Sequence, residues 1–90
     1  MLYVVRYTIA DGAAERVPEV YPRHRAYLDR FAEGGELLLI GPVRPAPAGG
    51  ALSVFRSREA AEAFPKQDPF VVEGVAVPSA VEEWDALELG

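Results

Sequence analysis

The chain has 90 residues, half of them hydrophobic, which is enough for one small domain with its own core, and we expect residues 1–90 to form it. It contains no cysteine, which excludes disulfides, thiolate catalysis and cysteine-based metal sites. The net charge of −5 arises in residues 46–90, where acidic side chains outnumber basic ones, and an acidic surface repels the phosphates of nucleic acids.

The hydropathy pattern favours a location in the cytoplasm. No apolar run approaches the ~18 residues that a membrane-spanning helix needs. The N-terminal stretch at residues 1–6 lacks the basic start and the long apolar run of a signal peptide. We therefore expect a cytoplasmic protein that has neither a membrane nor a nucleic acid as its partner.

The first half of the chain predicts a strand, a helix and a second strand. Residues 2–8 are mostly β-branched and aromatic, which is typical of a strand, and an Asp-Gly pair ends it. A helical pattern begins at residue 14 or 18, with Pro22 as a candidate start of its regular part, and two glycines stop it after residue 33. Residues 37–40 form the next predicted strand, which a Gly-Pro pair closes.

The second half of the chain predicts a strand, a short helix and a last strand. A Pro- and Gly-rich stretch at residues 45–50 reads as a loop that leads into a strand at residues 51–56. Ser57 can cap a helix that runs through Phe64, and Pro65 is expected to end or kink that helix. The last strand is expected within residues 77–89, with a proline near its start.

The order of these elements is β-α-β-β-α-β, which predicts an α+β fold of the ferredoxin-like type. Its antiparallel sheet carries both helices on one face, so the other face is bare in a monomer. Residues 2–5 and 37–40 are nevertheless apolar on both faces, and the simplest cover is a second copy of the chain. We expect a homodimer packed sheet against sheet; the alternative is a monomer whose strands expose some aliphatic side chains.

The only histidine of the chain lies on the apolar stripe of the first predicted helix. At ~100° per residue, four apolar residues fall within about 40° of His24, and charged side chains fall on the flanks and back. An imidazole that faces the sheet loses water and needs a hydrogen-bond partner. His24 is therefore either a satisfied core residue or part of a pocket.

Asp68 is the carboxylate best placed to be that partner, because its loop follows the second helix on the same side of the sheet. Asp before proline is an ordinary turn element, and a structural turn is the alternative interpretation. A carboxylate on one ring nitrogen fixes the tautomer and raises the basicity of the other nitrogen. His24 and Asp68 are our candidate catalytic residues, and the single histidine predicts neither a metal nor a cofactor.

Other residues are candidates for a substrate pocket around this pair. Arg23 and Arg25 flank His24 at about 100° on either side, where they either hold a substrate carboxylate or pair with Glu19 and Asp29 at helical spacing. The remaining candidates follow a predicted strand or lie next to Asp68, and the alternatives for them are a plain turn or the core: Gly41, Pro42, Pro69 and Phe70.

The sequence resembles the YCII-related family over nearly its whole length. The resemblance is carried by RHRAYL at 23–28, GELL at 35–38, GP at 41–42, EAA at 59–61 and DPF at 68–70. That family is similar to the dimeric α+β barrels, which include muconolactone isomerase-like enzymes. The resemblance implies a homodimer with a His/Asp active site, and those positions match His24 and Asp68.

Three functions remain open at this point. The first is a cofactor-independent enzyme of isomerase, lyase or dehydrohalogenase type, in which His24 and Asp68 move a proton on a small organic acid. The second is a domain that binds a small-molecule ligand in the same pocket without catalysis, or a stress-accessory domain. The third is a structural His/Asp pair. The enzyme is preferred because such pairs in pockets are costly unless they are used.

Overall fold

The computed structural model of the chain describes residues 1–45 and 50–90. Its helices and strands follow the predicted order, with two additions: a short 3-10 turn at Ala14–Arg16 before the first helix and a four-residue helix at Pro69–Val72, where a loop was expected. They are β1 (Leu2–Ile9), α1 (Val17–Ala32), β2 (Leu37–Pro42), β3 (Ala51–Phe55), α2 (Arg58–Gln67), α3 (Pro69–Val72), β4 (Ala76–Pro78) and β5 (Glu82–Trp84). Of the predicted loop at 45–50, residues 46–49 lie outside the described part.

The strands form one antiparallel sheet in the order β2-β3-β1-β4, and β5 also pairs with β1. This order confirms the ferredoxin-like prediction, with β1 at the centre. The predicted last strand differs, because it is divided into β4 and β5 and ends at Trp84 rather than at residue 89. The break follows Pro78, which cannot donate a ladder hydrogen bond. Ser79 bridges the break, since its amide donates to the Arg6 carbonyl at 2.7 Å.

The two faces of the sheet differ because side chains alternate along each strand. On β1, the side chains of Tyr3, Val5 and Tyr7 lie on the face that carries the helices, where they pack with Phe55 and Phe64. The other face carries no helix among the described residues. Its side chains come from several strands and are paired across them: Leu2, Val4, Arg6, Thr8, Leu39, Leu52, Val54, Val77, Glu82 and Trp84.

Helix α1 is regular from Val17 onwards, although two prolines lie within it. Pro18 occupies the first turn, where a missing N–H costs nothing. Pro22 lies inside the helix on an exposed position, so the regular part begins earlier than Pro22. After α1, Gly35 has φ +79°, a left-handed conformation that favours glycine and ends the helix.

Helix α2 runs to Gln67, so the expectation that it ends at Pro65 is wrong. The Ser57 hydroxyl caps its first turn by accepting from the Ala60 amide at 3.2 Å. Pro65 removes a single N–H near the C-terminal end and is itself buried, and the helix continues for two more residues. It stops at Asp68 because the residue before a proline favours extended backbone.

None of the helices among residues 1–45 and 50–90 is both long and apolar enough to cross a membrane.

Candidate functional site

His24 lies in the second turn of α1 with its ring turned towards the sheet. The helical stripe accounts for this, since Val20 and His24 are the buried residues of α1, while Leu28 and Phe31 pack against the same core. Only 6% of His24 is exposed to solvent. A ring so deeply buried requires a polar partner.

Asp68 provides that partner from 44 positions away in the sequence. Its Oδ1 atom lies 2.7 Å from Nδ1 of His24, and none of its surface reaches solvent. Asp68 is also the residue before α3, where its side chain caps the helix by accepting from the Phe70 amide at 3.0 Å. The Asp-Pro pair thus forms the turn that was expected. In this conformation the carboxylate of Asp68 also points at the imidazole of His24.

Tyr7 completes the network around the carboxylate. Its hydroxyl donates to Oδ2 of Asp68 at 2.7 Å, so both oxygens of the carboxylate have partners. Burial, followed by the hydrogen bond and the charge of Asp68, raises the pKa of Tyr7 far above its ordinary value. The hydroxyl therefore keeps its proton over the whole physiological range and acts as a donor to Asp68.

The hydrogen bond between His24 and Asp68 determines which ring nitrogen of His24 is available to a ligand. Because a carboxylate only accepts, Nδ1 of His24 carries the hydrogen of the 2.7 Å contact. Nε2 then presents a lone pair in the neutral ring. Every fully buried side-chain nitrogen or oxygen of the described residues has a hydrogen-bond partner, whereas Nε2 of His24 bonds to none of these residues. We conclude that Nε2 is not enclosed and reaches open space.

That open space is a cavity of about 410 Å³ between α1 and the sheet, large enough for a ligand with one or two rings. Phe70 stacks on the imidazole with the ring centres 4.1 Å apart and 18° between the planes, so one face of the ring is covered by an apolar group. The walls are mostly apolar and come from the helices and the sheet: Ile9, Val17, Leu28, Ile40, Ala51, Phe70 and Ala76.

The structure brings some of the predicted pocket residues together and leaves others apart. Gly41, Pro42 and Phe70 line the cavity beside His24, although Gly41 and Pro42 are the last residues of β2 rather than a turn after it. Arg23 is not among the lining residues, because its guanidinium is held by Glu73 through two hydrogen bonds of 2.9 and 2.7 Å. Pro69 is not among them either; it forms the first turn of α3.

Sequence reasoning missed three polar residues of the cavity. Tyr7 and Ser53 lie on the helix-bearing face of the sheet, and the Ser53 hydroxyl donates to the Val5 carbonyl at 3.2 Å. Tyr21 lines the cavity from α1. The alternation along residues 2–9 could have identified Tyr7, because it places this hydroxyl on the core side, where it needs a partner. Ser53 gives no such indication, because a small hydroxyl bonds readily to its own sheet.

The arrangement can take a proton from a bound molecule at Nε2 and stabilise the resulting imidazolium through Asp68. Within the described ranges, no cluster of three or more His, Asp or Glu side chains is placed to hold a metal ion. The chemistry that His24 and Asp68 themselves offer is proton transfer.

The sequence of the chain matches known proteins over most of its length. The model of the YCII-related domain family matches residues 1–85. Protein YciI of Escherichia coli is 34% identical in an alignment of 85 positions that covers 83% of this chain and 87% of that protein.

Two enzymes of known structure have the same fold. A 5-chloro-2-hydroxyhydroquinone dehydrochlorinase from Burkholderia phenoliruptrix, in complex with 2,5-dihydroxybenzoquinone, superposes with a TM-score of 0.74 at 22% identity, covering 94% of both chains. Muconolactone isomerase superposes with a TM-score of 0.62 at 18% identity, covering 100% of this chain and 98% of that one. These likenesses establish the fold of the dimeric α+β barrel proteins. The family-model match and the identity with YciI show that the chain belongs to the YCII-related domain family.

Proposed function

We propose that the protein is a small enzyme, working without a cofactor, in which His24 and Asp68 act as a general acid/base pair on a small organic acid. One observation carries the proposal: Nδ1 of His24 is fixed by Asp68 at 2.7 Å, while Nε2 of the same ring is left free beside a 410 Å³ cavity. A purely structural pair would not need a cavity next to its unused nitrogen.

In the proposed reaction, Nε2 of His24 removes a proton from a carbon or hydroxyl of the substrate. The electron pair left behind either shifts a double bond, with the proton returned at another position, or expels a leaving group such as halide. Asp68 does not take the proton; it holds the imidazole and stabilises its charged form. Isomerase, lyase and dehydrohalogenase reactions all follow this course.

The two enzymes with the same fold suggest which substrates to test. One is a dehydrochlorinase and the other an isomerase, and both names describe reactions of the proposed class. Their identities of 22% and 18% concern the fold alone, so the substrate has to be found by experiment. Muconolactone and 5-chloro-2-hydroxyhydroquinone are reasonable first members of a panel of small organic acids.

The test follows proton exchange in D2O by proton NMR, together with chloride release where the compound contains chlorine. We expect the protein to exchange or convert at least one compound, and His24→Ala to lower that rate by ~10²–10⁴-fold, the range of general acid/base catalysis. Circular dichroism and thermal unfolding show whether the variant keeps its fold. An unchanged rate in folded His24→Ala rules out the proposed mechanism, and binding without conversion favours the ligand-binding alternative.

We also propose that the helix-free face of the sheet pairs with a second copy of the chain. Three large apolar side chains on this face are at least half exposed: Leu39 (66%), Val77 (53%) and Trp84 (50%). They come from β2, β4 and β5, so the apolar surface extends across the sheet. A second copy, sheet against sheet, buries all of them.

Val77→Asp tests this pairing, and Val72→Asp is its matched control. Both valines are exposed, at 53% and 66%, but Val72 lies on α3 and not on the helix-free face. Light scattering is expected to give the mass of two chains for the native protein and for Val72→Asp, and of one chain for Val77→Asp. A native protein that has the mass of one chain contradicts the pairing.

A further inference from the structure

The cavity contains one permanently charged side chain, that of Arg25. The other residues that line the cavity are apolar, uncharged or, like His24, able to lose their charge. The carboxylate of Asp68 lies behind His24 and does not line the cavity. A cation inside this cavity would meet a like charge and no carboxylate. An anion would meet a guanidinium, which suits carboxylates and related planar acids.

Part of the Arg25 guanidinium is free to bind a ligand. Its Nε donates to both oxygens of Asp29, at 3.0 and 3.1 Å, and Nη1 lies 3.5 Å from the Tyr21 hydroxyl. A guanidinium has five N–H donors, and no partner of Nη2 is recorded among the described residues. The edge formed by Nη1 and Nη2 can therefore receive a carboxylate while Asp29 keeps its contact with Nε.

The position of Arg25 fixes how a ligand would lie. More than half of its side chain is exposed, at 57%, whereas His24 and Ser53 in the cavity are buried. Arg25 is thus at the mouth and His24 further inside. Successive residues of a helix point about 100° apart, so the two groups contact different ends of one ligand.

We propose that Arg25 is a specificity-determining residue, which binds the acidic group of the substrate at the mouth and directs its apolar body towards His24. The favoured ligand is a ring-sized monoanion whose acidic group is remote from the reacting atom. This inference rests on the proposed function for the reaction itself, but the binding preference can be measured without any turnover.

The neighbouring arginine provides a matched control. Arg23 has the same charge and lies two positions away on the same helix. Its Nε and Nη2 atoms donate to Glu73, however, and it does not line the cavity. The Asp29→Asn variant is expected to change anion affinity in the opposite direction, because it removes the negative charge that is paired with Arg25. A general effect of surface charge would make Arg23→Gln and Arg25→Gln behave alike.

The experiment compares benzoate with benzamide, which have nearly the same shape but differ in charge. The protein has a single histidine, so movement of the His24 ring signals in NMR reports cavity binding without ambiguity. At constant ionic strength we expect benzoate to bind about tenfold more tightly than benzamide, the effect of one charge-assisted hydrogen bond. Arg25→Gln should remove this preference, Arg23→Gln should retain it and Asp29→Asn should increase it.

Three results would overturn the inference: no saturable shift with benzoate, equal affinity for the two probes, or equal losses in Arg23→Gln and Arg25→Gln. These results are distinct from a failure of the proposed function. If folded His24→Ala still converts a substrate while Arg25→Gln loses the preference for benzoate, the His/Asp mechanism is wrong and the anion site stands. If Arg25→Gln keeps the preference while His24→Ala is inactive, the anion site is wrong and the His/Asp mechanism stands.

Discussion

The polar side chains on the two faces of the sheet differ in how much of their surface is exposed to solvent. On the helix-bearing face, Asp68 is completely buried and binds His24 and Tyr7, each at 2.7 Å. On the helix-free face, Arg6 and Glu82 also form a 2.7 Å contact, but 60% and 54% of their side chains remain exposed. The distances are the same, and only the surroundings differ.

This comparison shows that burial, rather than distance, decides what a polar contact contributes. When an exposed ion pair forms, both groups give up favourable contacts with water, and salt screens their attraction, so the pair contributes little to stability. A buried carboxylate has already lost its contacts with water and therefore depends on its protein partners. We therefore expect large effects from changes around Asp68 and small ones around Arg6. The following predictions are arranged from the largest expected effect to the smallest.

Asp68→Ala should be the most damaging single change on either face. It leaves Nδ1 of His24 and the hydroxyl of Tyr7 buried without their acceptor and removes the cap of α3. Each buried donor that is left without its acceptor costs ~1–3 kcal/mol in the free energy of unfolding. Urea denaturation in the Val77→Asp background measures the loss, with Glu82→Ala as the control on the other face. A similar, small loss in both variants would refute the comparison.

Tyr7→Phe tests a single bond of the buried network. The ring and its packing remain, but one donor to the Asp68 carboxylate is lost. A hydrogen bond to a charged group contributes ~1.5–3 kcal/mol, and we expect a loss in that range. The control is Tyr3→Phe, because Tyr3 lies on the same strand and face. If both variants lose equally, the hydroxyl of Tyr7 has no special part in holding Asp68.

The same hydroxyl predicts how stability responds to alkaline pH. The pKa of Tyr7 is raised above its ordinary value of 10.0 in the folded protein, mainly by burial, so folding favours the protonated form. This stabilisation is fully present below pH 10 and is lost as the pH rises further, because the unfolded chain then releases the proton. One group changes the free energy of unfolding by at most ~1.4 kcal/mol per pH unit.

Urea denaturation between neutral pH and strongly alkaline pH measures this dependence. Stability should fall less steeply above pH 10 in Tyr7→Phe than in the native protein, since the substituted chain has no proton to release at this position. Parallel slopes for the two proteins would show that Tyr7 titrates normally in the folded state.

Arg6→Gln should have the smallest effect of the series when it is measured in the Val77→Asp background, in which the helix-free face is not covered by a second copy. The substitution breaks the contact with Glu82, but both side chains are already largely in water. Exposed pairs contribute ~0.2–1 kcal/mol, and high salt should remove most of that difference. The Arg6 amide still donates to the Ser79 hydroxyl, and the Ser79 amide still donates to the Arg6 carbonyl. A loss as large as that of Asp68→Ala in this background would refute the comparison.

Local rules of the sequence predicted most of the fold and one half of the candidate site. Runs of β-branched, aromatic and aliphatic residues predicted the strands, and the apolar stripe and the glycine stops predicted α1 and the position of His24 on its buried side, because each pattern depends on residues a few positions apart. The wrong expectation at Pro65 has a local cause too: a proline near a helix end removes one hydrogen bond, and burial of its ring compensates for the loss.

The sequence by itself determined the order of the elements, the inward face of α1 and the turn at Asp68. Only the tertiary structure decided that Tyr7 binds Asp68, 61 positions away, and that Arg25 lines the cavity while Arg23 binds Glu73. Arg23 and Arg25 are equivalent on a helical projection, since both lie about 100° from His24. Which of them meets the cavity depends on where α3 and the sheet edge pack against α1, and no local pattern contains that information.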